Sequence, residues 1–283
     1  MTEETAALYV VPTPLGNLSD LTRRAAEVLC AVPWVAAEDT RHSAPLLKQV
    51  GSSARLLAAH EHNEQAAAEQ VIAKLAAGEA VALVSDAGTP GISDPGARLV
   101  ARVRAAGFRV VPLPGPCAAV TALSAAGLAE PHFLFYGFLP AKAGQRDAAL
   151  QALVGLSYAL VFYEAPHRIL ETVAALARAL GGERTLVVAR ELTKLFETIH
   201  SGPLAEAEAW LTADPNRQRG EFVLLVSGAP ERSSDALSDE AERVLRLLLD
   251  EGLPLKQVAK LAQAISGAGK NALYARALEL KQG

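Results

Sequence analysis

At 283 residues, 51% hydrophobic and 20% charged, the chain carries enough apolar mass for about two packed domains, which excludes a disordered protein. Its net charge of −4 argues against non-specific nucleic-acid binding over the whole surface and leaves room for a local basic face. No run of about eighteen apolar residues occurs, Met1–Ala7 holds Glu3 and Glu4 in place of a basic leader, and Cys30 and Cys117 sit in apolar contexts; the expectation is a cytoplasmic protein with no membrane segment and no disulfide.

Along the chain, strands are expected near 8–12, 33–37, 55–59, 81–85 and 109–113, with helices between them. Such alternation implies a mainly parallel sheet covered on both faces. After a Gly/Pro break at Gly127–Pro131, strands are expected near 133–138, 157–163, 184–190, 195–201 and 221–227, with helices near 146–154, 166–180 and 203–212. The segments 184–190 and 195–201 are joined too tightly for a crossover helix, so they should pair antiparallel within a mixed sheet. Beyond Gly228-Ala229-Pro230, Glu231–Asp235 reads as a linker, and the rest is helical, with Val244, Leu247, Leu248, Leu255, Val258, Leu261, Ala262, Leu273, Ala277 and Leu280 at three- and four-residue spacing. Charge divides inside this tail: residues 234–255 hold two basic and six acidic side chains (−4), residues 256–283 five basic and one acidic (+4). A three-helix module with a basic end, or a packing appendage, accounts for that pattern. The fold class is therefore α/β, with an α/β domain over 1–128, a second over 129–230 and a helical module over 231–283.

Three strands of the first half run into Gly/Pro turns that open helices: Pro12-Thr13-Pro14-Leu15-Gly16-Asn17, Ser85-Asp86-Ala87-Gly88-Thr89-Pro90-Gly91-Ile92-Ser93-Asp94-Pro95-Gly96 and Pro114-Gly115-Pro116-Cys117. In an open parallel sheet such loops stand at the carboxyl ends of the strands, where ligands bind. They lack G-x-x-x-x-G-K-[ST] and the dinucleotide fingerprint. Asp86 and Asp94 would repel a pyrophosphate and suit a neutral or cationic ligand. A nucleoside with a positive sulfonium, S-adenosylmethionine, meets that description; taken singly, each loop is also an ordinary tight turn with Asp as turn former or cap.

Further polar groups stand at other strand ends. Glu38-Asp39-Thr40-Arg41-His42 could bind or polarise a substrate, or Asp39 could cap a helix with Arg41 paired to Glu38. His60-Glu61-His62 alternates across an extended segment and has no third ligand cluster nearby, so no metal is expected. Tyr163-Glu164-Ala165-Pro166-His167-Arg168 and Arg190-Glu191-Leu192-Thr193-Lys194 bring cations and proton acceptors to the second domain. Arg168, Arg190 and Lys194 would contact phosphate or form a structural ion-pair network.

Taken in order, Pro12–Leu18, Glu38–Arg41, Glu61–Glu64, Ser85–Pro90, Pro114–Pro116, Gly137–Pro140, Tyr163–Arg168, Arg190–Lys194 and Gly220-Glu221 form a set. Over residues 8 to 228 this set resembles the tetrapyrrole methylase superfamily, in particular its branch that methylates small-subunit ribosomal RNA. The resemblance implies two α/β domains with S-adenosylmethionine folded between them, a homodimer, and transfer of a methyl group to a cytidine ribose 2′-hydroxyl in the decoding region of 16S rRNA in the 30S subunit. It further implies cofactor contacts from Leu15, Asp86, Gly88, Thr89, Ile92, Cys117, Ala118, Glu164, Glu221 and Phe222. Glu38, Asp39, Arg41 and Glu191 are candidates for the catalytic set. Arg168, Arg190 and Lys194, with Lys270 and Arg276 of the tail, are candidates for the RNA. The alternatives are a tetrapyrrole or other small-acceptor methylase on the same fold, and a non-catalytic rRNA-binding assembly factor.

Overall fold

In the computed structural model, residues 6–230 and 239–282 are described, and the linker expected at Glu231–Asp235 lies outside them. The first sheet comprises β1 (Ala7–Val10), β2 (Trp34–Ala37), β3 (Arg55–Ala58), β4 (Val81–Val84) and β5 (Arg109–Pro112). Its crossovers carry α1 (Arg23–Ala31), α2 (Thr40–Val50), α3 (Glu64–Ala76) and α4 (Ala97–Ala105). Strand order is β3-β2-β4-β1-β5, with every pair parallel. All four residues of β4 are buried, and they alternate between two cores. Val81 and Leu83 pack with α3 and α4, while Ala82 and Val84 face α1 and α2. A strand covered on both faces reads as an unbroken apolar run, and each fully buried Leu or Val is worth about 1.5–3 kcal/mol.

This order places a switch point between neighbours β1 and β4. From β1 the chain passes β4 to reach β2, and from β4 it passes β1 to reach β5, with α1 and α4 on opposite faces of the sheet; such a reversal is where an open parallel sheet places its crevice.

The second sheet is built from β6 (Phe133–Phe138), β7 (Ala159–Glu164), β8 (Thr185–Arg190), β9 (Thr198–Pro203) and β10 (Phe222–Val226) in the order β6-β7-β10-β8-β9. It is mixed: β6 and β7 are parallel, and β7–β10, β10–β8 and β8–β9 are antiparallel. On one face lie α6 (Ala143–Gln151), α7 (Ile169–Leu180) and α8 (Ala207–Thr212), packed on Phe162, Leu224 and their neighbours. The other face is covered by α5 (Ala118–Ala126), through Ala119 and Ala122 against Val161, Val223 and Leu225. The domain boundary expected at residue 128 follows α5, yet α5 packs on the second sheet, so the chain crosses to that layer at Cys117. Two other expectations shift: the helix near 146–154 occupies 143–151, and the strand near 195–201 starts at Thr198 because 191–197 forms a tight loop.

Residues Met1–Ala229 and Pro230–Gly283 separate into two compact units. In the second, α9 (Asp239–Asp250), α10 (Leu255–Ser266) and α11 (Lys270–Gln282) close on Ala241, Val244, Leu245, Val258, Ala259, Ala262, Leu273 and Ala277. Leu247 and Leu261, expected inside, are 57% and 36% exposed. Ala241, Val244 and Leu245 form the inward face of α9, and Val258, Ala259 and Ala262 that of α10. The turn between α10 and α11 begins at Gly267, whose φ of 71° suits a residue without Cβ.

Candidate active site

The loops after β1, β4 and β5 are laced together at the switch point. Thr13 and Gly88 exchange backbone hydrogen bonds of 2.8 and 3.0 Å, and the Thr13 hydroxyl donates to the Ser85 carbonyl at 3.1 Å. The Thr89 hydroxyl donates to the Pro116 carbonyl at 2.8 Å. Gly88 has φ 82°, and a Cβ there would lie 3.3 Å from Leu15. Beneath these loops opens a cavity of about 360 Å³, which the second sheet walls on its other side.

All ten residues expected at a cofactor line this cavity: Leu15, Asp86, Gly88, Thr89, Ile92, Cys117, Ala118, Glu164, Glu221 and Phe222. Glu38 lines it as well, with Asp94, read beside Asp86 as suiting a neutral or cationic ligand, and with Phe138, Tyr163, Leu192 and Val223, which had no assigned role. Phe138 and Tyr163 lay within recognised motifs. What was missing was the pairing of β6 with β7, which sets their rings 5.7 Å apart. Tyr163 also accepts a hydrogen bond from the Ala119 N–H at 3.0 Å, tying the second sheet to α5.

Of the five carboxylates in the lining, Glu38, Asp86 and Asp94 lie close together. The Asp39 N–H donates to Asp86 at 3.1 Å, and the Asp86 N–H reaches Glu38 at 3.4 Å. Burial pushes Glu38 above the ordinary carboxylate range, with the Asp86 N–H opposing. Burial, then the nearby Glu38 carboxylate, raises Asp94 to about 6. Loss of hydration disfavours the charged form, and a second negative charge adds to that cost.

Other expected residues are placed differently. Asp39 lies outside the lining: it caps α2 by accepting from the Arg41 N–H at 2.8 Å and holds the Arg41 guanidinium at 2.8 and 3.1 Å. Those contacts keep its carboxyl well below the usual range. Arg41 therefore pairs with Asp39 and not with Glu38, because the cap turns Asp39 towards it. Glu191 is also outside the lining. Burial pulls it upward, but Lys194 Nζ at 2.9 Å and the Glu221 N–H at 3.0 Å outweigh burial and hold it low.

The basic residues of the second sheet mostly serve the fold. Arg168 donates to the Leu139 carbonyl at 2.7 Å and lies 3.3 Å from the buried Glu164, whose carboxylate also accepts from Thr172 at 2.6 Å. Arg190 donates to the carbonyls of Arg219 and Phe196. Lys194 bridges Glu191 and Glu221, and its stem crosses Gly16, where a Cβ would collide with it. In the helical unit, Arg276 is held by Glu242 and Glu279, the latter at 2.7 Å. Lys270 instead lines a shallow pocket with Lys256, Asn271 and Tyr274. Among the described residues, no group of three or more His, Cys, Asp or Glu side chains is placed to hold a metal ion, and no helix is long and apolar enough to cross a membrane.

The family model for tetrapyrrole (corrin/porphyrin) methylases matches residues 7–208. Solved structures agree on the fold. A uroporphyrin-III-C-methyltransferase from Thermus thermophilus superposes with a TM-score of 0.57 at 21% identity, over 78% of this chain and 94% of its own. The methyltransferase CobJ gives 0.61 at 20%, over 81% and 96%. The family match over more than half of the chain, on a fold those structures share, defines a methyltransferase of the tetrapyrrole methylase type. Sequence relatives narrow the class: proteins named ribosomal RNA small subunit methyltransferase I from Escherichia coli O157:H7 and Pseudomonas aeruginosa are each 55% identical over 96% of this chain, covering 94% and 96% of their own lengths. The model described as the RsmI C-terminal HTH domain matches residues 235–281. The chain belongs to the ribosomal RNA small subunit methyltransferase I family within the tetrapyrrole methylases.

Proposed function

We propose that the cavity binds S-adenosylmethionine and that the chain methylates the 2′-hydroxyl of a cytidine ribose in the decoding region of 16S rRNA. The observation that carries this reading is the convergence of Glu38, Asp86 and Asp94 on a cavity with apolar walls and no phosphate cradle. Such a site favours a cationic nucleoside and disfavours a nucleotide phosphate. The residues fit the cofactor: Gly88 leaves its loop open beside Leu15, while Ile92, Phe138 and Phe222 offer apolar surface for a base or a thioether chain. When bound, S-adenosylmethionine supplies an electrophilic methyl group on its sulfonium sulfur.

The chain's own residues then have three tasks. The laced loops fix the donor, so that alignment of the ribose oxygen supplies much of the rate. Tyr163, Phe138 and Leu192 keep water from the reacting centre. Glu38 is the expected catalytic carboxylate that lines the cavity, and its raised affinity for protons suits it to accept the hydroxyl proton as the methyl–oxygen bond forms.

RNA is held by the open basic face of the helical unit, where Lys256 and Lys270 lie beside Tyr274 and Asn271. A lysine pair supplies phosphate contacts and a tyrosine supplies a stacking surface. The protein acts in the cytoplasm, as a homodimer on the 30S subunit. Nucleoside mass spectrometry of 30S subunits incubated with enzyme and S-adenosylmethionine tests the reading. A 2′-O-methylcytidine in the decoding region is expected; a base-methylated product, or no product alongside methylation of a tetrapyrrole, would overturn it.

A further inference from the structure

The motif Glu61-His62-Asn63-Glu64 has no place in the cavity, yet its last residue is a buried carboxylate, 7% exposed at the start of α3. Among the described residues Glu64 has no ion-pair partner, and little of it faces solvent. One oxygen, Oε1, accepts three backbone N–H groups: Gly96 at 2.9 Å, Arg98 at 2.9 Å and Leu99 at 3.2 Å. These belong to the first turn of α4, whose donors have no partner within the helix.

The need for an outside acceptor follows from the residue at the helix start. Gly96 has φ 132°, and a Cβ there would come within 3.1 Å of Leu83. No Ser, Thr or Asp can occupy it, so α4 has no side-chain cap of its own. A carboxylate from α3 fills that role and also suits the positive end of the helix. Glu64 is itself anchored, because Asn63 accepts from the His60 N–H at 2.8 Å and donates to the Ala58 carbonyl at 3.0 Å, at the end of β3.

What Glu64 anchors is the far end of the loop over the cavity. That loop begins at Ser85, is fixed in its middle by the Thr13–Gly88 bridge, and ends at Gly96. Between the fixed points stand Ile92 and Asp94, which line the cavity, and Ser93, held at φ 64°. A non-glycine residue in that region costs free energy and persists only where its surroundings hold it.

We propose that Glu64 is a positioning residue for the methyl donor: by capping α4 from α3 it holds the Ile92–Asp94 segment against the cofactor cavity. This rests on the reading of that cavity as the S-adenosylmethionine site. Removing the acceptor releases three N–H groups at once, and the segment loses its second anchor.

The test uses the full chain and calorimetric titration with S-adenosylmethionine, at a temperature where circular dichroism shows each variant folded. Glu64→Ala is expected to weaken binding about tenfold, and to raise the KM for the cofactor while the KM for 30S subunits stays put. Glu64→Gln keeps an acceptor oxygen and should stay within about threefold of wild type. Leu29→Ala, a cavity in the core on the other face of the first sheet, serves as the control for lost stability alone and should leave affinity unchanged. The proposal fails if Glu64→Ala binds like wild type, if Leu29→Ala weakens binding as much, or if Glu64→Gln behaves like Glu64→Ala. Wild type failing to bind S-adenosylmethionine would overturn the cofactor reading instead.

Discussion

Asp94 stores a cost in the free protein, and the Asp94→Asn variant should reveal it. In the folded chain its carboxyl is raised from 3.8 to about 6 by burial and then by Glu38, with Asp86 and Glu221 adding to the rise and Ser85 opposing it. A rise from 3.8 to about 6 corresponds to about 3 kcal/mol. Asp94 is only half-buried, so solvent screening lowers the figure to about 2 kcal/mol. The sign follows from proton binding. Between pH 3.8 and about 6 the folded state holds the proton more tightly than the unfolded state, so stability falls as pH rises through this window and stays reduced above it. The amide carries no charge and can still accept from Ser85. At neutral pH Asp94→Asn should therefore raise the melting temperature by about 4–8 °C, and near pH 4 the gain should vanish. Thermal melts of both proteins at the two pH values measure this. Calorimetry on the same samples should show weaker S-adenosylmethionine binding in the variant, since one negative charge has gone from the cavity proposed for that cationic cofactor. A gain of equal size at both pH values, or a loss at neutral pH, would refute the argument.

Gly88→Val should abolish S-adenosylmethionine binding while the fold survives, because the side chain forces φ 82° on a branched residue and presses on Leu15; calorimetry and circular dichroism check the two halves. Arg168→Ala leaves the buried Glu164 without its cation, so the melt should fall by about 2–4 kcal/mol of stability, with no change in the salt slope of RNA binding. Replacing Lys256 and Lys270 by Ala should flatten that slope by about one unit for each lysine, measured by filter binding across a salt series. Arg276→Ala should instead loosen α11 from α9 by breaking its contact with Glu242, whose carboxyl Arg276 and then Arg246 of α9 hold at about 2. Ending the chain at Ala229 should leave a folded unit that binds S-adenosylmethionine, since Met1–Ala229 is a compact unit that holds the cores of both sheets; methylation of 30S subunits should drop.

The alternating architecture was legible because buried parallel strands leave a strong mark. Val81–Val84 is apolar at every position since both of its faces are covered. The antiparallel pairing of β8 with β9 was legible for a different reason, a connection too short for a crossover. The seat of α5 was not. Its sequence is apolar and small on most faces, and nothing local tells Ala119 and Ala122 which sheet they cover. The same limit explains Leu247 and Leu261: a helix with apolar residues on more than one face offers several inward directions, and only its neighbours choose among them.

At the site, turn chemistry was informative where charge was not. Glycine and proline at the ends of β1, β4 and β5 mark tight turns, and the residues of those loops for which the family resemblance implied cofactor contacts line one cavity. Charged residues declare only that a charge needs a partner. Arg168, Arg190 and Lys194 have the composition of an RNA contact, yet each reaches a carbonyl or carboxylate of its own chain within 3.2 Å. In a tightly turned segment, where Glu191 and Thr193 adopt φ of 53° and 66°, exposed carbonyls and strained backbone need cations to hold them. A cation engaged in that way has little left to offer a phosphate. Lys256 and Lys270 differ because, among the described residues, no carboxylate forms an ion pair with them, and such a charge is the one that a polyanion can use.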